Sequence, residues 1–270
     1  MDKLWLGPYR VRAFNSAQDS ENRVHDDTVA RRMGFAGGLV PGVDVYGYMA
    51  HLAVLRWGRD WLAQGTLTAR FTAPVYDGED ALVSGTEADE GLQISVTCRG
   101  TASASGLAAM VTTSRPPSDA PRIATPPAST SRPPASEATL APGTRLGMRP
   151  LQTTEDFAAN YLRSLRETDP LYRSARLLHP GLLLRTCNWA LTENVRLGPW
   201  IHTGSTVQNL AEAKVGATLT VAAVVAENRE HKGHSLVELD AIVLADGQPV
   251  ASVRHVAIWR PRQLRTAQAN

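Results

Sequence analysis

Cysteine is scarce in this chain: of 270 residues, only Cys98 and Cys187 are cysteines. They stand far apart and lack metal-ligand spacing. A disulfide framework and a zinc-ribbon site are therefore excluded as organising devices, and two free buried thiols in a reducing compartment are expected. Charge of one sign is also lacking. With 28 Lys and Arg against 26 Asp and Glu, the formal net charge is +2, and no basic run marks a groove for nucleic acid. No apolar run approaches the ~20 residues that span a bilayer. No basic-then-apolar segment opens the chain, so a cytoplasmic protein without membrane contact is expected. Glycine-rich phosphate loops, Gly-x-Ser-x-Gly, Cys-x-x-Cys and His-Glu-x-x-His are all missing. His179, His202, His231 and His234 show no tight ligand spacing either. Neither a metal nor a resident cofactor is expected.

Proline, by contrast, is concentrated. Eight of the 17 prolines lie between Pro116 and Pro142. Proline fixes φ and offers no backbone donor, so residues 115–143 read as a stiff, extended, exposed connector between halves at 1–114 and 144–270. The halves look like diverged copies. Val40-Pro41-Gly42-Val43 aligns with His179-Pro180-Gly181-Leu182 at an offset of 139 residues. Each opens an apolar stretch, 43–57 and 182–195, that reads as a buried helix. Extended segments follow at 66–75, 80–87, 91–99 and 105–113, then at 205–213, 217–227, 234–245 and 249–259. A further one is expected from Lys3 to Phe14. Ala245-Asp246-Gly247-Gln248 is a hairpin turn signal. One long helix followed by antiparallel strands, twice over, is an α+β plan; two unrelated α+β domains are the rival arrangement.

The most distinctive stretch is Asn22-Arg23-Val24-His25-Asp26-Asp27, followed by Gly34-Phe35, Pro41-Gly42-Val43 and Tyr46-Gly47-Tyr48. It resembles the signature of the MaoC-like (R)-specific enoyl-CoA hydratases, Asp-x-Asn-Pro-x-His followed by Gly-Phe and a Pro-Gly helix start. The resemblance implies two hotdog domains in one chain, each a curved antiparallel sheet around a central helix, forming an internal pseudo-dimer. It implies reversible hydration of 2-enoyl thioesters or dehydration of 3-hydroxyacyl thioesters, a lyase reaction. Acyl-CoA is the expected substrate, coenzyme A entering only as part of it, and a homodimer of such chains is a further expectation.

Mapped by resemblance, His25 and Asn22 hold the family's His and Asn positions. Gly42 sits where a backbone N–H polarises the thioester carbonyl, with Val43 and Tyr46 as substrate contacts. The family's catalytic Asp is replaced by Ser20, leaving Asp19 or Glu21 as nearby carboxylates. The second half keeps the same spacing in Glu167-Thr168-Asp169-Pro170-Leu171-Tyr172 and Gly181. Glu167, its pKa raised by burial, is a candidate base with Tyr172 as donor, and Asp169 and Gly181 are candidate substrate contacts. The same six residues also read as an ordinary helix start, with Thr168 or Asp169 capping and Pro170 in the first turn. Arg229, Lys232 and Lys214 are candidates for coenzyme A phosphates. Two rivals to hydration stay open. One is a hotdog thioesterase using Glu167 or Asp19. The other is a non-catalytic acyl-thioester-binding or partner protein.

Overall fold

The computed structural model describes residues 4–111 and 122–266. Strand β1 (Trp5–Arg12) is followed by a single 3-10 turn at Arg23–His25 and a short helix α1 (Asp27–Arg32). The long helix α2 (Gly42–Gln64) then leads into β2 (Gly65–Phe71), β3 (Asp80–Ala88), β4 (Gly91–Cys98) and β5 (Thr101–Met110). The second half begins with β6 (Arg145–Gly147), β7 (Leu151–Gln152), α3 (Glu155–Leu165), α4 (Leu171–Ser174) and α5 (Pro180–Thr192). It continues with β8 (Ile201–Asn209), β9 (Thr218–His231), β10 (His234–Ala245), β11 (Gln248–Arg260) and α6 (Arg262–Thr266).

The strands join into a single sheet in the order β1-β3-β4-β5-β2-β8-β11-β10-β9-β6, with β7 also beside β9. Every pairing is antiparallel. The halves meet at β2 and β8, where Thr66 faces Gln208 and Arg70 faces Gly204. This is the expected plan of two helix-wrapping sheets joined edge to edge.

Strand alternation explains the wrap. In β4, Leu92, Ile94, Val96 and Cys98 face inward and are buried, while the residues between them are more exposed. Such a sheet has one apolar face to cover. Helix α2 covers it in the first half, and every residue from Val43 to Val54 is buried. A helix that is apolar all round can lie only in a core. The helix kinks at Gly58, where φ is 60° and ψ is −140°, and resumes to Gln64, so it runs past the expected end at 57. In the second half α5 packs against α2 and against β9, β6 and β11.

The proline-rich segment differs from the expectation in part. Residues 115–121 lie outside the described residues. Beyond them the chain has no strand before Arg145 and only a short turn at Ser129–Ser131. Yet Leu140 is fully buried, and Gly143 donates its N–H to Val225 O. Most of this stretch is exposed or half-buried, as expected, and Leu140 alone is buried and anchors it to the second half.

Candidate active site

The loop after β1 carries His25. Asn22 accepts the Val24 N–H on its Oδ1 and so caps the turn that holds the histidine. Asn15 donates to His25 O at 2.8 Å, and Gly38 passes so close that a Cβ there would stand 2.3 Å from the same oxygen. The ring is fixed as firmly. His25 Nδ1 lies 2.6 Å from Leu39 O. A carbonyl only accepts, so Nδ1 carries the proton, and the lone pair of the neutral ring is on Nε2. The Asn22 amide lies 3.2 Å from Nε2 and donates to it. Burial holds the His25 pKa below the usual histidine value, although the Leu39 carbonyl acts the other way.

Asn22 is held in turn by the second half. Its Nδ2 donates to Trp200 O at 3.0 Å and its Oδ1 accepts from Trp200 N at 3.1 Å, just ahead of β8. One side chain therefore fastens the His25 loop to the other half's sheet.

Helix α2 starts beside His25. Pro41 supplies no side-chain cap, and the first N–H groups of a helix have no intrahelical acceptor and mark its positive end. Against Gly42 lies His202 of β8. A Cβ on Gly42 would stand 2.8 Å from His202 Nδ1 and 3.2 Å from the Phe71 ring. His202 Nε2 bonds Ser205 Oγ at 2.8 Å, and Ser205 Oγ reaches His255 Nδ1 at 3.1 Å. The two imidazoles stack 4.2 Å apart. Burial pushes the His202 pKa well down, helped by the neighbouring His255, and pushes His255 down to about 3. Both are neutral near pH 7.

Two adjoining cavities share Asn22, His25, Pro41, Asn188 and Trp200 in their walls. The first, about 220 Å³, also borders Gly42, His202 and an apolar set including Val24, Leu39, Val45 and Ile258. Among the described residues its lining contains no carboxylate. The second, about 590 Å³, is the more polar of the two, bordered by Asp19, Ser20, Glu21, Arg132, Arg149, Arg185 and Glu193 as well as by Phe14, Val43 and Trp189. Asn188 brings α5 to both, so His25 and Gly42 border one cavity that reaches the other half's helix. Glu21 is taken by Arg132 through two bonds of 2.8 and 2.9 Å, which hold its carboxyl below the usual range. Asp19 borders the second cavity only. Val43 lines that cavity as well, whereas Tyr46 is fully buried and borders neither; Val45 takes its place at the first.

The second half is closed. Glu167 Oε1 accepts from His51 Nδ1 at 2.8 Å and from the Thr168 and Asp169 N–H groups at 2.7 Å each. Its Oε2 lies 3.3 Å from His179 Nε2, at ion-pair distance but off the hydrogen-bond direction. Burial alone would raise the Glu167 carboxyl, but His179 and His51 outweigh it and hold it well below the usual range. The raised pKa expected of Glu167 is therefore reversed. The cause is His179 of the same half together with His51, supplied by α2 of the other half. Tyr172 is buried with no hydrogen-bond partner among the described residues, and burial, with Glu167 nearby, raises its pKa well above the usual tyrosine value. Asp169 caps α4 by accepting the Leu171 N–H at 2.8 Å, as the helix-start reading has it. Gly181 N–H is spent on His179 Nδ1 at 3.1 Å, and a Cβ on Gly181 would stand 2.7 Å from the Tyr161 hydroxyl. Glu167, Asp169, Tyr172 and Gly181 line neither cavity. Among the described residues no group of His, Cys, Asp and Glu could hold a metal ion, and no helix is long and apolar enough to cross a membrane.

Sequence reasoning gave no role to His202, Asn188, Trp200 or Arg185. They lie 160 or more positions along the chain from His25, so no local spacing signals them.

Fold and site together define a double-hotdog protein whose cavity at His25 and Gly42 takes walls from both halves. No protein-family model and no curated protein matches the chain. Solved structures do. One is a protein assigned as a MaoC domain dehydratase from Chloroflexus aurantiacus J-10-fl, at 10% identity over 97% of this chain and 96% of that one, with a TM-score of 0.65. Another is a conserved hypothetical protein from Mycobacterium tuberculosis with a double hotdog fold, at 15% identity over 96% of each chain, TM-score 0.66. A third, a MaoC-like dehydratase, matches at 12% identity over 96% and 98%, TM-score 0.62. At these identities the likeness establishes the fold.

Proposed function

We propose that this chain is a MaoC-like hydratase/dehydratase acting on 2-enoyl and 3-hydroxyacyl thioesters, with acyl-CoA as the substrate class. The observation that carries the reading is the single cavity bordered by a ring-locked neutral His25, the uncapped start of α2 at Gly42 and α5 of the other half. With the carbonyl at Gly42, its N–H and the positive helix end favour the negative charge that develops on the thioester oxygen. His25 Nε2 takes a proton from water as the hydroxyl adds to the β-carbon. The same Nε2–H then returns the proton to the α-carbon of the enolate, so one histidine serves as base and acid. Asn22 must first give up its 3.2 Å contact with Nε2 to that water.

Loss of enoyl absorbance from crotonyl-CoA, and its appearance from 3-hydroxybutyryl-CoA, measures the reaction. His25→Ala is expected to lower turnover by ~10²–10⁴. Absence of hydration by the wild type, or full activity in His25→Ala, overturns the assignment.

The lack of a carboxylate in the first cavity, with Asn22 occupying Nε2, favours a second reading, an acyl-thioester-binding protein without turnover. Saturable crotonyl-CoA binding with unchanged absorbance supports that reading. Release of free thiol from a saturated acyl-CoA instead marks a thioesterase.

A further inference from the structure

We propose that the groove on the outer face of the β2–β8 seam holds the phosphates of coenzyme A. The inference rests on the acyl-thioester reading above and adds the place where the carrier lies. This groove, about 420 Å³, shares Phe71, Thr72 and Thr203 with the first cavity. One rim therefore separates the outer sheet face from the pocket at His25 and Gly42. Three arginines line the groove, Arg70, Arg229 and Arg254, against a single lining carboxylate, Glu238.

Glu238 is already taken. It accepts from Arg254 at 3.0 and 2.6 Å and from Arg229 at 3.3 Å. Glu227 and Asp240 pair with the same two arginines from outside the groove and are about half exposed, 47% and 52%. Water and salt screen such partners strongly. Arg70 has no ion pair or side-chain hydrogen bond among the described residues, and it is exposed. On its own strand Thr68 shares the floor with Thr206 across the seam, their hydroxyls 3.1 Å apart. A free guanidinium beside two others and a pair of hydroxyls suits phosphate oxygens, which accept in the bidentate manner guanidinium offers.

This location orients the substrate. With phosphates over the seam, the pantetheine arm turns across the Phe71–Thr203 rim into the first cavity. The thioester then comes to Gly42, and the acyl group points on toward the second cavity.

Binding of free coenzyme A to the intact protein, by calorimetry, tests the groove without requiring turnover. Arg70→Gln and Arg70→Glu are suitable variants because the Arg70 side chain is exposed and makes no hydrogen bond or ion pair among the described residues. Each is expected to weaken coenzyme A binding by about tenfold or more, with the charge reversal weakening it further. KM for crotonyl-CoA should rise in parallel with kcat unchanged, whereas KM for crotonyl-pantetheine, which carries no phosphate, should not move. A 4′-phosphopantetheine thioester separates the phosphates: if it weakens as much as the CoA ester, Arg70 meets the phosphate next to the arm, and if it is unaffected, Arg70 meets the adenosine phosphates. Coenzyme A bound equally well by Arg70→Glu and wild type overturns the proposal, as does an equal loss on phosphate-bearing and phosphate-free esters. Hydration with an Arg70-independent KM rejects the groove and leaves the hydratase standing. Arg70-dependent coenzyme A binding without hydration does the reverse.

Discussion

At the scale of single residues, the chemistry rests on which polar atoms are free. His25 was legible in the sequence because its neighbours form a local pattern, and the fold puts it in a cavity wall. Glu167 sits in an equally local pattern, yet its carboxylate is consumed by His51, 116 positions away, and by two backbone amides. No spacing rule reports a partner that far off. Two predictions separate these sites. Glu167→Gln keeps one oxygen acceptor for His51 and the two amides but removes the buried charge beside His51 and His179 and sets an amide NH2 where Oε2 stood, so it is expected to cost ~1–3 kcal/mol of stability. Tyr172→Phe deletes a hydroxyl that has no partner and should be near neutral or slightly stabilising. Urea unfolding measures both, and in each the turnover per folded molecule should match wild type. A selective loss of turnover in either variant would return the second half to the mechanism. Ser20→Asp tests the first half from the other direction. Ser20 borders the second cavity, five residues before His25. A carboxylate there supplies the base the family pattern has, and hydration of crotonyl-CoA is expected to rise at least ~10-fold.

Elements explain how these residues are held. The start of α2 was readable from Pro41-Gly42, but the turns beyond the kink at Gly58, up to Gln64, were not expected. At φ 60° and ψ −140° Gly58 occupies backbone space closed to most L-residues, and no atom lies near its missing Cβ. Gly58→Ala is therefore expected to cost ~1–3 kcal/mol through backbone strain alone, with no packing term. Strand β8 with β11 carries a different property. His202 and His255 are both buried neutral, and their folded pKa values lie below the usual histidine value. Between pH ~6.5 and about 3, the unfolded chain holds a proton on His255 that the folded chain lacks. Stability therefore falls as pH drops through that window, by at most about 1.4 kcal/mol per pH unit for each such histidine. Glu167 adds to the loss only at lower pH, below the ordinary carboxylate value, since its folded pKa is depressed. Urea midpoints between pH 7 and 5 should decline in the wild type and decline less steeply in His255→Asn, whatever that variant's stability at pH 7. An unchanged slope would mean that the imidazole is not buried neutral.

On the scale of the whole molecule the two halves were legible as repeats, and their pairing as an internal pseudo-dimer followed from the resemblance, but the side chains that tie them together were not legible. Five residue pairs from Thr66–Gln208 to Arg70–Gly204 carry the sheet across the seam, and α2 packs directly on α5. Between those helices Asp44 and Arg185 form an ion pair with Ser16 as a third partner, and the Asp44 side chain is only 2% exposed. Arg59 clasps Glu212 at 2.6 and 2.7 Å, and Asn209 donates to Trp61 O at 2.8 Å. His51 and Asn22 complete the exchange, each bonded to a group of the other half. Separation of the halves would expose the edges of β2 and β8 and strand buried charges, so neither half has a stable state of its own to populate. The chain should unfold in one transition, with tryptophan fluorescence and far-ultraviolet circular dichroism giving the same urea midpoint. Asp44→Asn leaves the Arg185 charge buried without its partner and is expected to cost ~3–5 kcal/mol. If the halves are one cooperative unit, that loss moves both probes together by the same amount. Two separated transitions, or a shift confined to one probe, would instead mean two independent domains on a tether. That result would also weaken the pocket assignment, because the cavity at His25 has walls from both halves.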